Sequence, residues 1–101
     1  MATTIKSLFR GAATTSTGTT LYTVPSATTA VISNIAVTNT AGSAGTFTLA
    51  LNGVAIHTAT AIAANTTIYI DCKQALAATQ TITGGASATT INYHISGVEV
   101  A

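Results

Sequence analysis

Apolar and polar residues alternate along most of this chain with a period of two. The clearest case is Phe47–Thr58, FTLALNGVAIHT. Phe47, Leu49 and Leu51 share one face, Asn52-Gly53 follows, and Val54 and Ile56 return along the partner. Asn-Gly supplies the two positive-φ positions of a type I′ turn, so the pattern predicts a hairpin with one core face and a register fixed by its turn. Upstream, Thr28–Asn39 (TTAVISNIAVTN) predicts a strand with Val31, Ile35 and Val37 on one face, Ser33 between them, and Ile32, Asn34, Ala36 and Thr38 on the other. Near the C-terminus, Ile91, Tyr93 and Ile95 alternate with Asn92, His94 and Ser96. Gly97 then interrupts before Val98-Glu99-Val100, and a glycine inside a strand signals a bulge or a close backbone approach.

Shorter signals fill the gaps. Leu21–Pro25 (LYTVP) is a short strand ended by proline, and Ala41–Gly45 (AGSAG) is a turn cluster. Ile62–Thr67 leads into Ile68 and Ile70, and Leu76–Thr83 holds a strand around Ile82. Gly84–Ala88 (GGASA) reads as a second flexible turn, and the alanine-rich pieces Ala59–Ala64 and Ala75–Ala78 as short helical turns. Thr3–Arg10 (TTIKSLFR) is either an edge strand or an arm reaching a neighbour. Gly11–Thr20 is small, polar and aperiodic, a flexible link. The division is therefore 1–18 as arm or edge strand plus link, and 19–101 as the main domain. About seven or eight short strands, with turn signals every eight to twelve residues, predict an all-β antiparallel sandwich, jelly-roll or immunoglobulin-like. A closed barrel fits the same pattern.

The 101 residues fit one domain. Composition changes the picture in one respect. Only 5% of residues are charged, net charge is +1, and threonine alone fills 23 positions. Threonine suits a pleated, half-buried surface, and low charge leaves little repulsion between copies. Edge strands are commonly guarded by Lys, Pro or inward charge. Lys6, Arg10 and Lys73 are the only cations and Pro25 the only proline, so the chain's edges are expected to be covered by other subunits, the alternative being that short edges and threonine-rich surfaces suffice. The balance is not basic, which argues against nucleic acid as a partner. No apolar run approaches the roughly 18 residues of a membrane span, and MATTIKSLFRG has too short an apolar region for a signal peptide. With one cysteine, Cys72, no internal disulfide forms, and maturation in a cytoplasm is expected.

The reactive inventory is Asp71, Glu99, His57, His94, Cys72, Lys6, Lys73, Arg10 and three tyrosines. Cys72 beside Lys73 suggests a lowered thiol pKa, but strand alternation puts Asp71 and Lys73 on one face as a surface ion pair and Cys72 on the other. His57, His94 and Cys72 lack the short spacing of metal ligands, and the two histidines are expected on strand faces opposite the apolar ones. Asp71 and Glu99 are the sole acids available for a glycosidase pair, and no aromatic platform accompanies them. GGASA opens no helix and carries no GK[ST], so no phosphate loop is predicted. No nucleophile elbow is present. Asn65-Thr66-Thr67 fits a glycosylation acceptor that a chain without a signal peptide does not present to that machinery. The tally points away from an enzyme, and no metal or cofactor is expected.

Thr20–Gly53, TLYTVPSATTAVISNIAVTNTAGSAGTFTLALNG, resembles small virion proteins of tailed bacteriophages: a "LYTVP" start, an alternating strand ending in "VTNT", and a strand closing on "LNG". Ile62–Asp71 and His94–Val100 resemble the same group. The resemblance implies a compact β-sandwich that decorates or cements the capsid, commonly as a trimer, or serves in the tail or fibre. It implies partners in copies of itself and the major capsid protein, a virion location after synthesis in the host cytoplasm, and no catalytic motif. Ile5, Lys6, Leu8, Phe9 and Arg10 are the candidate residues for docking onto the capsid or a neighbouring subunit. Their apolar members would bury and their cations would meet acidic surface.

Overall fold

Two antiparallel sheets pack face to face. The computed structural model describes residues 3–71 and 73–101; Cys72, and with it every expectation about its thiol, lies outside them. The strands are β1 (Thr3–Ala12), β2 (Thr20–Thr23), β3 (Thr29–Asn39), β4 (Gly45–Leu51), β5 (Val54–Ile62), β6 (Thr66–Ile70), β7 (Ala75–Leu76), β8 (Thr81–Ala86) and β9 (Ile91–Val100). The first sheet runs β1-β9-β3-β6, with β7 also pairing β3; the second runs β2-β8-β4-β5. Among the described residues there is no helix. The alanine-rich pieces expected to turn helically instead belong to β5 and β7 and the loops after them.

The pairing is nested. β4 pairs β5 across Asn52-Gly53; β3 pairs β6 and β7; β2 pairs β8; β1 pairs β9. Each pair encloses the one before it, and successive pairs alternate between the sheets. The chain is thus one long hairpin folded over on itself, which is the jelly-roll arrangement. An immunoglobulin-like sandwich pairs its first two strands in one sheet, whereas β1 and β2 lie in different sheets. Both sheets end in free edges, so the barrel is excluded too. β6 and β7 occupy one edge of β3 in turn, so nine segments fill eight strand positions.

The core lies between the sheets. Ile32, Ile35, Val37, Ile91, Tyr93 and Ile95 enter it from the first sheet, and Phe47, Leu49, Leu51 and Ile82 from the second. Each fully buried aliphatic of this size contributes about 1.5–3 kcal/mol. Asn52 and Gly53 both have positive φ, as the type I′ turn requires. Asn39 is buried, and its side chain satisfies itself on the Ser43 and Ala63 carbonyls and the Ala41 amide.

Three expectations are corrected. First, β3 does not alternate strictly. Ile32 pairs Gly97 and Asn34 pairs Ser96, so Ser33 is an extra residue in the ladder. A bulge resets side-chain parity: Ala30 and Ile32 point inward before it, Ile35 and Val37 after it, and Val31 turns out to solvent, 39% exposed. β1 carries a matching bulge at Leu8, opposite the same stretch of β9. Second, Val54 is 69% exposed, because it starts an edge strand beside the turn. Third, Gly84 and Gly85 are buried strand residues, not a turn. A Cβ on Gly85 would lie 2.2 Å from the Ser16 carbonyl oxygen. The segment between β1 and β2 crosses here, pinned by Gly84 and Ala86 amides donating to the Thr19 and Thr14 carbonyls. The polar segment read as a flexible link is therefore seated on the second sheet.

Candidate functional site

β1 is the outer strand of the first sheet, so the five candidate docking residues follow from its register. Lys6 pairs Gly97 and points inward along the sheet edge, where its Nζ lies 3.4 Å from Glu99 Oε1. Tyr22, from the second sheet, donates its hydroxyl to Glu99 Oε2. The hydrogen bond from Tyr22 is the main cause that holds the Glu99 carboxyl below its ordinary range; partial burial opposes it and Lys6 assists. The Tyr22 hydroxyl is pushed up, by burial first and by Glu99 second. Leu8 is buried, and Phe9 is half-buried against the core. That leaves Ile5 and Arg10 facing solvent on the outer surface.

Cross-strand partners share a face, and the registers assemble these two into rows. Ile5 pairs Val98, Val98 pairs Val31, and Val31 pairs Ala75. Arg10 pairs His94, His94 pairs Ala36, and Ala36 pairs Tyr69. Between the rows lie Ser7, Ser96 and Asn34. Ile5 is 85% and Tyr69 72% exposed. The outer face of the first sheet thus carries an apolar row and a row with a cation and a phenol at its two ends.

The outer face of the second sheet is different. Thr48 pairs Gly85, and Ala50 pairs Thr83 and Ala55. It is a lawn of small hydroxyl and methyl groups.

The other candidates lie apart from this face or serve the fold. His57 was expected to face away from the core, yet bulges in β5 turn it onto Phe47 at 5.2 Å between ring centroids, and its Nδ1 lies 3.1 Å from Thr60 Oγ1. Asp71 and Lys73 form an exposed ion pair, in the segment between β6 and β7 and not on a strand. Glu99 is engaged by Tyr22 and Lys6. Tyr93, buried on β9, lies 2.9 Å from the carbonyl oxygens of Thr48 on β4 and Gly85 on β8. Burial pushes its hydroxyl up to about 12. Among the described residues no group of three metal-ligating side chains occurs. The outward turn of Val31 depends on a bulge and the role of Tyr22 on contact between sheets, so neither was legible in the sequence; Tyr69 is exposed by plain alternation with Ile68 and Ile70.

Comparison with protein-family models, with curated proteins and with solved structures finds no match to this chain.

Proposed function

We propose that the chain is a structural virion protein: a capsid decoration or cement protein that binds the outer shell as a homo-oligomer and stabilises it. Three is the copy number the resemblance suggests. Jelly rolls serve capsids, lectins and cupins alike, so the fold by itself does not choose among them. The observation that carries the reading is the outer face of the first sheet. It exposes Ile5, Val31 and Tyr69 in a chain with only 5% charged residues, a surface suited to a protein partner and not to small-molecule chemistry. The mechanism is mechanical. A standard interface buries about 1,600 Å² in total, and many symmetric copies turn modest contacts into resistance against shell opening.

A second reading, a tail or fibre component mediating assembly or host-surface and glycan binding, has one observation in its favour. Tyr69 is an exposed aromatic of the kind such surfaces use. Light scattering and sedimentation of the purified chain mixed with stripped phage shells separate the two. Saturable addition in fixed stoichiometry supports decoration. Shells that bind none, while isolated tails do, favour the second reading. Deleting residues 1–10 does not probe docking, because it removes most of β1, leaves one edge of β9 unpaired and strips Leu8 from the core.

A further inference from the structure

The sheet edges are blunted, strand by strand. Edges are blunted by bulges, inward charges, shortness or interruption. β1 has its bulge at Leu8 and Lys6 turned inward. β5 has two register shifts, with Ala59 at positive φ. β2 is four residues long. The edge opposite β1 is broken into β6 and β7. The sparse charge of this chain conceals that all four edges are guarded.

The outer face of the first sheet has no such guard, and its rows are self-complementary. We propose that this face pairs with the same face of a second copy about a twofold axis parallel to the strands. That operation lays β1 over the partner's β6 and β7, and β9 over the partner's β3. Arg10 then meets the second copy's Tyr69 and His94 meets its Ala36. Val98 meets Val31, and Ile5 meets Ala75. Ile5 and His94 fall opposite alanines, the apolar row covers itself, and the guanidinium lies against an aromatic ring, a favourable pairing. A twofold axis across the strands would instead set Ile5 over Arg10 and Val98 over His94, placing the apolar row on cationic and polar groups. The area suffices. Four strands spaced about 4.8 Å and ten residues rising about 3.3 Å each give roughly 600 Å² per copy. Both copies together bury about 1,200 Å², the lower bound for a stable interface. The second sheet's threonine face, apart from the part at Gly85 that the chain's own Thr14–Thr19 segment covers, stays free in such a pair.

This deepens the homo-oligomer part of the proposed function but is read without shells, so the two fail separately. An isologous contact gives a dimer, and a trimer needs a different one. Arg10 and Tyr69 sit on opposite edges of the sheet, about 14 Å apart across three strand spacings. A disulfide between them within one chain is therefore impossible. In a Cys72→Ser background, Arg10→Cys protein is mixed with Tyr69→Cys protein and oxidised mildly. The expected result is a crosslinked heterodimer, with little crosslinking of either variant alone. In parallel, light scattering should give twice the 10.0 kDa chain mass, and Ile5→Lys with Val31→Lys should weaken the dimer by about tenfold or more. Both sites are solvent-facing, so the variants keep their core, which circular dichroism checks. A monomer at all concentrations, crosslinks of Arg10→Cys to itself, or a trimer insensitive to the lysine pair would each overturn the proposal, whatever the shells do.

Discussion

The hydroxyl of Tyr22 and the carboxylate of Glu99 join the two sheets at one end of the sandwich. Tyr22 belongs to β2 in the second sheet, Glu99 to β9 in the first. The bond is charge-assisted, and it favours ionised Glu99 over protonated Glu99.

A depressed carboxylate stabilises the fold above its unfolded pKa, and that contribution is lost as pH falls through the folded value. Melting temperature followed by circular dichroism should therefore hold down to about pH 5 and fall below the ordinary glutamate range near 4.5. Glu99→Gln should lower stability at pH 7 and flatten the acid fall. An acid limb as steep in the variant as in the wild type would place its origin elsewhere.

The alkaline limb has the opposite sign. Tyr22 and Tyr93 both have raised hydroxyl pKa values, Tyr93 to about 12 from an ordinary 10.0. Their contribution is complete below pH 10 and disappears as pH rises above it. Absorbance of tyrosinate should show these two ionising late, together with unfolding.

Tyr93→Phe keeps the ring that packs edge-on against Phe47 at 6.4 Å and removes the hydroxyl shared by Thr48 and Gly85. The loss of a buried hydrogen bond should cost about 1–3 kcal/mol. In a domain this size that is a drop of about 4–8 °C in melting temperature per kcal/mol. A change within error would mean water replaces the hydroxyl.

Gly85→Ala is expected to cost at least about 1–3 kcal/mol through overpacking, although alanine is the gentlest substitution available. The new methyl meets backbone, not a movable side-chain tip. Hydrogen exchange should accelerate at the amides of Gly84 and Ala86, which anchor the Thr14–Thr19 segment. Unaltered protection there would show that the segment shifts without releasing its bonds.

Strand positions and the hairpin at Asn52-Gly53 were legible because alternation and turn chemistry are local. What failed was parity. Val31 and Ile35 look alike in a pattern of period two, but the extra residue at Ser33 sends one outward and the other into the core. Glycine misled for a related reason. GGASA has the composition of a turn, and only the crossing of a segment nearly seventy positions earlier explains why two glycines sit inside a strand. The candidate docking stretch was legible as a strand but not as a surface. Its residues divide between core, sheet edge and outer face, and the groups that complete that face arrive from β9, β3 and β6.

The nested pairing has a kinetic consequence. Closing a loop costs entropy that grows with its length, and β1 and β9 stand almost the whole chain apart. If the inner pairs form first, each later pair closes only the short connections that remain. The chain then zips outward from Asn52-Gly53, and the tip of the hairpin becomes its nucleus. Gly53→Ala, which strains a φ of 78°, should slow refolding more than it speeds unfolding. A strand so remote from its partner as β1 should be the last to lock and the first to fray.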